Sequence, residues 1–306
     1  MGKNFKNNRN KKAAGVAAMS GNAATAGIQA AVAKGTVAMD DGTVISLSKT
    51  LLKQSISNSE MIATANVPDA IFFAKNNKRT RVTQDANIVL VKGDTLVGLQ
   101  CAWQLASSSD PAVLVFASDT NPGGSATSSN LGTQEEALCR TSTLRLAQVT
   151  LAYPIPTRGV VYVPHVQALI TASPASASHG INHNNKKNTA APALTFAAIC
   201  GALRSCVSGP SPSSKEDFFL TEKICGILDQ ACVHGHTTLV LGAWGCGAFG
   251  NPVEWVARTF QKCLSMERYQ GCFDHVIFAI PNKAMLASFE EVFGTTAVVA
   301  TAVHSY

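Results

Sequence analysis

Charge is scarce in this chain of 306 residues, with Asp, Glu, Lys and Arg together making up 14% of it. A segment stays disordered when it combines low hydrophobicity with high charge, so a chain that is 46% apolar cannot be disordered throughout. It is long enough to bury a large core as one α/β domain. Long hydrophobic runs are missing too. Nothing approaches 18 uninterrupted apolar residues, and the Ala-rich stretch 13–39 is interrupted by Ser20, Gly21, Asn22, Gln29 and Lys34 too often for a signal-peptide core. The nine cysteines (Cys101, Cys139, Cys200, Cys206, Cys225, Cys232, Cys246, Cys263 and Cys272) include no C-x-x-C pair. An odd number without a framework points to buried thiols in a reducing compartment. The expectation is a soluble intracellular protein, of cytoplasm or nucleus, with no membrane partner.

A basic binding face is also lacking. The formal charge is +6, but Lys3, Lys6, Arg9, Lys11 and Lys12 supply five of those charges, which leaves +1 for the rest. Residues 1–19 read as a basic, disordered tail, the one place where a nucleic-acid contact has any support, and a weak one. Residues 20–306 read as a single domain, with 20–85 as a helical accessory part.

Apolar periodicity and turn residues predict helices over 20–34, broken at Gly35, and over Lys49–Thr64. They predict strands at Asn87–Val91, Ala112–Phe116, Val160–Val163, Thr237–Leu241 and His275–Ile280. Further helices are expected after Asp94, which is placed as an N-cap, and at Thr133–Thr150, Ala193–Val207, Asp217–Gly235 and Pro252–Met266. Residues Ser173–Pro192 read as a surface excursion. His179 and His183 within it have helical spacing, but the Gly and Asn around them argue against a metal-binding helix. The alternation fits a mixed or parallel sheet covered by helices on both faces.

Two stretches carry chemistry. In the first, a buried-looking strand runs into Asn121-Pro122-Gly123-Gly124-Ser125, a small-residue loop, and a helix opened by Gln134-Glu135-Glu136. Two adjacent acids are unexpected on a solvated surface in so lightly charged a chain. Adjacent helical residues point about 100° apart, so the pair cannot flank one glycosidic bond as two equivalent carboxylates; one must do the chemistry and the other hold the substrate. The second stretch, Gly245-Cys246-Gly247-Ala248-Phe249-Gly250, formally matches G-x-G-x-x-G, with Asn251 expected to cap a helix beginning at Pro252. The following strand ends without the acid that a dinucleotide fingerprint requires, so a phosphate site is favoured over nicotinamide chemistry. Trp244 and Phe249 are expected to wall the pocket. Asp94 also lies at a strand's carboxyl end, where α/β sheets bind ligands.

The Gly-Gly turn followed by Gln-Glu-Glu, with the surrounding FASDTNPGG and LCRTSTL and the later LVLGAWGCGAFGNP and HVIFAI, resembles the microbial-type poly(ADP-ribose) glycohydrolases. The resemblance implies a macrodomain-like fold, a mixed sheet sandwiched between helices with a helical N-terminal extension, and cleavage of poly(ADP-ribose) to ADP-ribose. It further implies Glu136 as general acid and base and Glu135 as the holder of the leaving ribose. Asn121, Gly123, Gly124 and Gln134 would lie along the substrate, Gly245, Cys246, Gly247 and Ala248 at the diphosphate, and Phe249 against the ribose. No metal or cofactor enters that scheme. Its partners would be poly(ADP-ribose) or ADP-ribosylated proteins. Ser125 replaces the family's third glycine, and its Cβ restricts the turn beside the ribose. The alternatives are a reader that binds ADP-ribose with little catalysis and a mono-ADP-ribosyl hydrolase.

Overall fold

The computed structural model describes residues 21–39, 42–63, 86–105, 110–124, 132–170, 190–205, 207–208 and 211–295. The elements in chain order are α1 (Gly21–Lys34), β1 (Thr36–Ala38), β2 (Val44–Ser46), α2 (Lys49–Ser57), β3 (Glu60–Ala63), β4 (Asn87–Val91), α3 (Thr95–Leu105) and β5 (Ala112–Phe116). After them come α4 (Gln134–Thr141), α5 (Leu144–Gln148), β6 (Gly159–Ala168), β7 (Ala191–Pro192), β8 (Leu194–Gly201), α6 (Ser214–Val233) and β9 (Thr238–Leu241). The last are α7 (Val253–Leu264), β10 (His275–Ala279) and α8 (Lys283–Phe293).

A 7-stranded sheet in the order β3-β6-β8-β5-β9-β10-β4 forms the middle layer. The strands from β8 to β4 run parallel, while β6 and β3 pair antiparallel at the other edge. Successive side chains of a strand face opposite ways, and β5 shows the result: Leu114 joins the core beneath α6, α7 and α8, whereas Val113 and Val115 join the core with α3, α4 and α5. Helices thus cover both faces, as the sequence pattern predicts. A smaller sheet, β1-β2-β7, and α1 form a satellite core in which Ile28, Val32 and Leu47 meet Leu146 and Leu169. Among the described residues no helix is long and apolar enough to cross a membrane. The basic tail, Ser125, His179 and His183 lie outside the described residues.

Four expectations need correction. The helix expected over Lys49–Thr64 stops at Ser57, and Glu60–Ala63 pairs as the edge strand β3 against β6. The N-terminal part therefore contributes strands as well as helices. The helix expected over Thr133–Thr150 is two, because Ser142 bridges to Ala168 and Thr143 donates to the Gln167 carbonyl, so β6 takes the backbone groups that would have continued α4. The helix expected over Ala193–Val207 is instead the strand β8, with Phe196 to Cys200 buried on both faces. Its Ala content favours helix locally, but a place between β6 and β5 outweighs that preference. Finally, β6 runs to Ala168 rather than stopping at Val163, through a register shift at Pro164 and His165, where His165 has φ 53°.

Gln167 shows how the satellite is anchored. Its side-chain oxygen accepts from Ser48 N at 2.6 Å and its amide donates to Ser48 O at 3.0 Å, which fixes the start of α2. Gln167→Leu removes both partners from half-buried groups, and denaturant unfolding should show a loss of about 2 kcal/mol.

Candidate active site

Strands β8, β5 and β9 are parallel neighbours, so the segments that follow them leave the same edge of the sheet. Loops at the carboxyl edge of such a sheet are free to converge. The segment after β5 carries the glycine turn, and the one after β9 carries the glycine loop. Gly242 brings them close, since a Cβ there would sit 3.0 Å from Phe116 Cζ.

Three consecutive residues at the start of α4 have three different roles. Gln134 is a clamp: its oxygen accepts from Phe116 N at 2.8 Å, and its amide donates to Leu114 O at 2.8 Å and to Thr95 Oγ1 at 3.0 Å. These contacts tie α4 to β5 and α3, so the geometry gives Gln134 a framework role in place of the expected substrate contact. Glu135 is 1% exposed. Its Oε2 accepts from Ser118 N at 2.7 Å, and its Oε1 accepts from Gly123 N at 3.2 Å and from Gln148 Nε2 at 3.0 Å. Burial pushes its carboxyl up to about 7; the donors from Ser118, Gln148 and Gly123 work against that rise, and the charge of Glu136 adds to it.

Glu136 closes a capping box. Its Oε2 accepts from Thr133 N and Gly132 N, both at 3.1 Å, while Thr133 Oγ1 accepts from Glu136 N. Its other oxygen turns toward the glycine turn. A Cβ placed on Gly124 would lie 3.2 Å from Glu135 Oε2 and 3.8 Å from Glu136 Oε1, so both carboxyls converge on that residue. Gly123 and Gly124 have φ of 78° and 58°, a region that side chains disfavour. The turn is held by Gly124 N donating to Asn121 O, by Ser118 Oγ accepting from Asn121 N, and by Arg145 Nη1 donating to Pro122 O.

On the second loop, Gly247, Ala248 and Phe249 are exposed, and among the described residues their amides make no hydrogen bond, which leaves them open to an anion. The Cys246 amide is already bonded to Ala243 O and its thiol is buried. Of the two aromatics only Phe249, 46% exposed, can face a ligand; Trp244 is 1% exposed and belongs to the core. Asn251 does not cap α7, whose N-cap is Pro252. It is 2% exposed, and its amide donates to Gly245 O and Arg204 O, both at 3.1 Å, joining the glycine loop to the segment after β8. Asp94 accepts from Leu96 N and Val97 N and so takes the capping role on α3. Among the described residues no group of three or more potential metal ligands occurs.

Sequence reasoning missed Gln148, which is fully buried beside Glu135, and the pairing of Arg204 with Asp119 at 2.8 and 2.9 Å, which joins the segments after β8 and β5. The apolar neighbours Leu146, Ala147 and Val149 on either side were the available signal for Gln148. Arg204 gave none.

Residues 25–168 match the family model described as microbial-type PARG, catalytic domain. Among solved structures, the poly(ADP-ribose) glycohydrolase from Thermomonospora curvata superposes with a TM-score of 0.69 at 23% identity, covering 90% of this chain and 99% of that one. The same enzyme bound to the inhibitor ADP-HPD gives 0.68 at 22%, covering 89% and 98%. The poly(ADP-ribose) glycohydrolase from Deinococcus radiodurans in complex with ADP-ribose gives 0.60 at 23%, covering 79% and 97%. The resemblance drawn from the two glycine motifs and the expected sheet between helical layers are both borne out. Comparison with curated proteins finds no match.

Two predictions follow from the geometry. The Glu135 carboxyl is raised from 4.5 to about 7 in the folded protein, so the folded state binds more protons than the unfolded state in this window. Ionisation of this group therefore removes stability as pH rises from about 4.5 to 7. Relative to the parent, Glu135→Gln should gain on the order of 3 kcal/mol across that window in denaturant unfolding; a difference that does not vary with pH would contradict this reading. Gly124→Ala puts a methyl against Glu135 at positive φ and should lower stability by about 1–2 kcal/mol in the same measurement.

Proposed function

We propose that this chain is a poly(ADP-ribose) glycohydrolase, hydrolysing ribose–ribose O-glycosidic bonds and releasing ADP-ribose. The observation that carries the reading is the convergence of two buried carboxyls on a positive-φ Gly-Gly turn, beside a second loop with open amides and an exposed phenyl ring. Each part matches a part of the substrate. The amides of Gly247, Ala248 and Phe249 suit a diphosphate, since backbone N–H groups bind anions without adding charge. Phe249 offers an apolar face to a ribose. The side-chain-free Gly123-Gly124 turn lets a second ribose approach both glutamates.

The labour within the pair follows from their bonds. Glu136 Oε2 is fixed by two backbone donors, which aims Oε1 at the space over Gly124. There Glu136 protonates the departing ribose oxygen as positive charge develops at the anomeric carbon, then takes a proton from the attacking water. Glu135, once ionised, accepts from the hydroxyls of the leaving ribose and orients it. Asn121 lies on the same turn, where it flanks the distal ribose. The substrates are poly(ADP-ribose) or ADP-ribosylated proteins.

A second reading has one observation in its favour. The capping box gives Glu136 a structural reason to be present even without catalysis, as a reader of ADP-ribose would require. Release of ADP-ribose from poly(ADP-ribose) by parent and Glu136→Gln separates the two. The variant should lose about 10²–10⁴-fold in rate while binding ADP-ribose with little change in calorimetry. A parent that releases no more than the variant, yet still binds ADP-ribose, is a reader. Release only from singly modified protein would make it a mono-ADP-ribosyl hydrolase.

A further inference from the structure

Gln148 ends the short helix α5 and is fully buried. A buried amide must place two donors and an acceptor. Here the amide nitrogen donates to Glu135 Oε1 at 3.0 Å and lies 3.5 Å from Cys200 Sγ, and the Cys139 thiol donates to Gln148 Oε1 at 3.3 Å. The thiol bond matters because an amide can flip. The flipped form would set Oε1 against the carboxylate, and the Cys139 thiol, by donating to Oε1, adds to the preference for the orientation that faces Glu135 with hydrogen.

We propose that Gln148 is the positioning residue of this site, its amide locked by the Cys139 thiol so that it holds the Glu135 carboxyl in the orientation and charge state that accept ribose hydroxyls. The proposal rests on the glycohydrolase reading for its substrate and on the geometry alone for the link to Glu135. Other groups around this carboxyl do not substitute for the amide. Glu136 faces it from its own helix, and the charge of Glu135 reaches Cys139 on the same helix, Cys200 on β8 and Tyr153 in the segment after α5; Arg140 and Arg145 act on Cys139. Helix α1, packed outside α4, has one charged residue, the exposed Lys34 at its far end. Burial drives the thiols of Cys139 and Cys200 and the Tyr153 phenol upward, so all three stay neutral at physiological pH. Arg145 is engaged with Pro122 O. Among the described residues Gln148 is thus the one side chain that donates to Glu135; its other donors there are backbone amides.

The test uses two readouts on the full chain. The Glu135 carboxyl carbon is followed by NMR in ligand-free protein, assigned with Glu135→Gln, and ADP-ribose release is measured against pH. Gln148→Met keeps the volume and removes the donor. Its Glu135 midpoint should move up by about one pH unit, and the acid limb of kcat/KM should move with it, giving about a tenfold loss below the limb and a near-parental rate well above it. Cys139→Ala, which leaves the amide but frees it to flip, should move both in the same direction by less. This second variant decides the matter if Gln148→Met does not fold. An unmoved midpoint, or an equal loss at every pH, overturns the proposal. A parent that cleaves no poly(ADP-ribose) defeats the glycohydrolase reading, while the NMR midpoint still decides the role of Gln148.

Discussion

A carboxyl group taken almost wholly out of water must be given hydrogen-bond donors or remain neutral, and the site is built around that requirement at Glu135. Its donors come from three separate pieces of chain: Ser118 at the exit of β5, Gly123 in the glycine turn and Gln148 at the end of α5. Meeting the requirement therefore fixes those three pieces relative to one another. Gln134, one residue earlier, does the same for β5 and α3, and Glu136, one residue later, closes the helix start on itself. A run of three polar residues thereby ties together β5, α3, the glycine turn and α5.

The glutamate pair also resolves a tension between structure and chemistry. A capping-box glutamate is ordinarily a framework residue, with both roles of its carboxylate directed at backbone. Here one oxygen serves the cap and the other turns toward Gly124. The cap is what gives the acid a fixed aim, so stability and positioning are not in competition at Glu136. They do compete at Glu135, where burial disfavours the charged form that a hydroxyl acceptor should take. The same division appears in the second loop. Cys246 and Trp244 face the core and hold the loop down, Asn251 ties it to Arg204, and Gly247 to Phe249 are left facing outward.

The parts that could be read from sequence were those whose pattern has one physical meaning. Strands β4, β5, β9 and β10 are short apolar runs rich in β-branched residues, and the two glycine motifs lie a few residues beyond the ends of β5 and β9. Strand β8 was hidden because LTFAAICG is apolar without alternation, and a strand buried on both faces looks the same as a buried helix over eight residues. The break within 133–150 was hidden because it is caused by β6, distant in sequence, taking up Ser142 and Thr143. Asn251 before a proline reads as a helix cap, yet burial turned its amide toward two carbonyls. At the site, residue types gave the glutamates and glycines, but not which of three adjacent polar side chains would clamp, hold or cap.

The choice of an amide at position 148 follows from the same economy of charge that marks the whole chain. A lysine or arginine in contact with Glu135 would keep it ionised, but it would also occupy the carboxylate with a strong competing donor and leave a buried cation whenever the acid was protonated. An apolar side chain would leave Oε1 with the Gly123 amide alone and favour the neutral acid, a poor acceptor for two hydroxyls. Glutamine lies between these. It contributes a single neutral donor, strong enough to favour the carboxylate and weak enough to leave lone pairs for the hydroxyls of the proposed substrate. That balance holds only while the amide faces the right way, which makes the buried thiol of Cys139, four residues after Glu135 on α4, part of the arrangement as well.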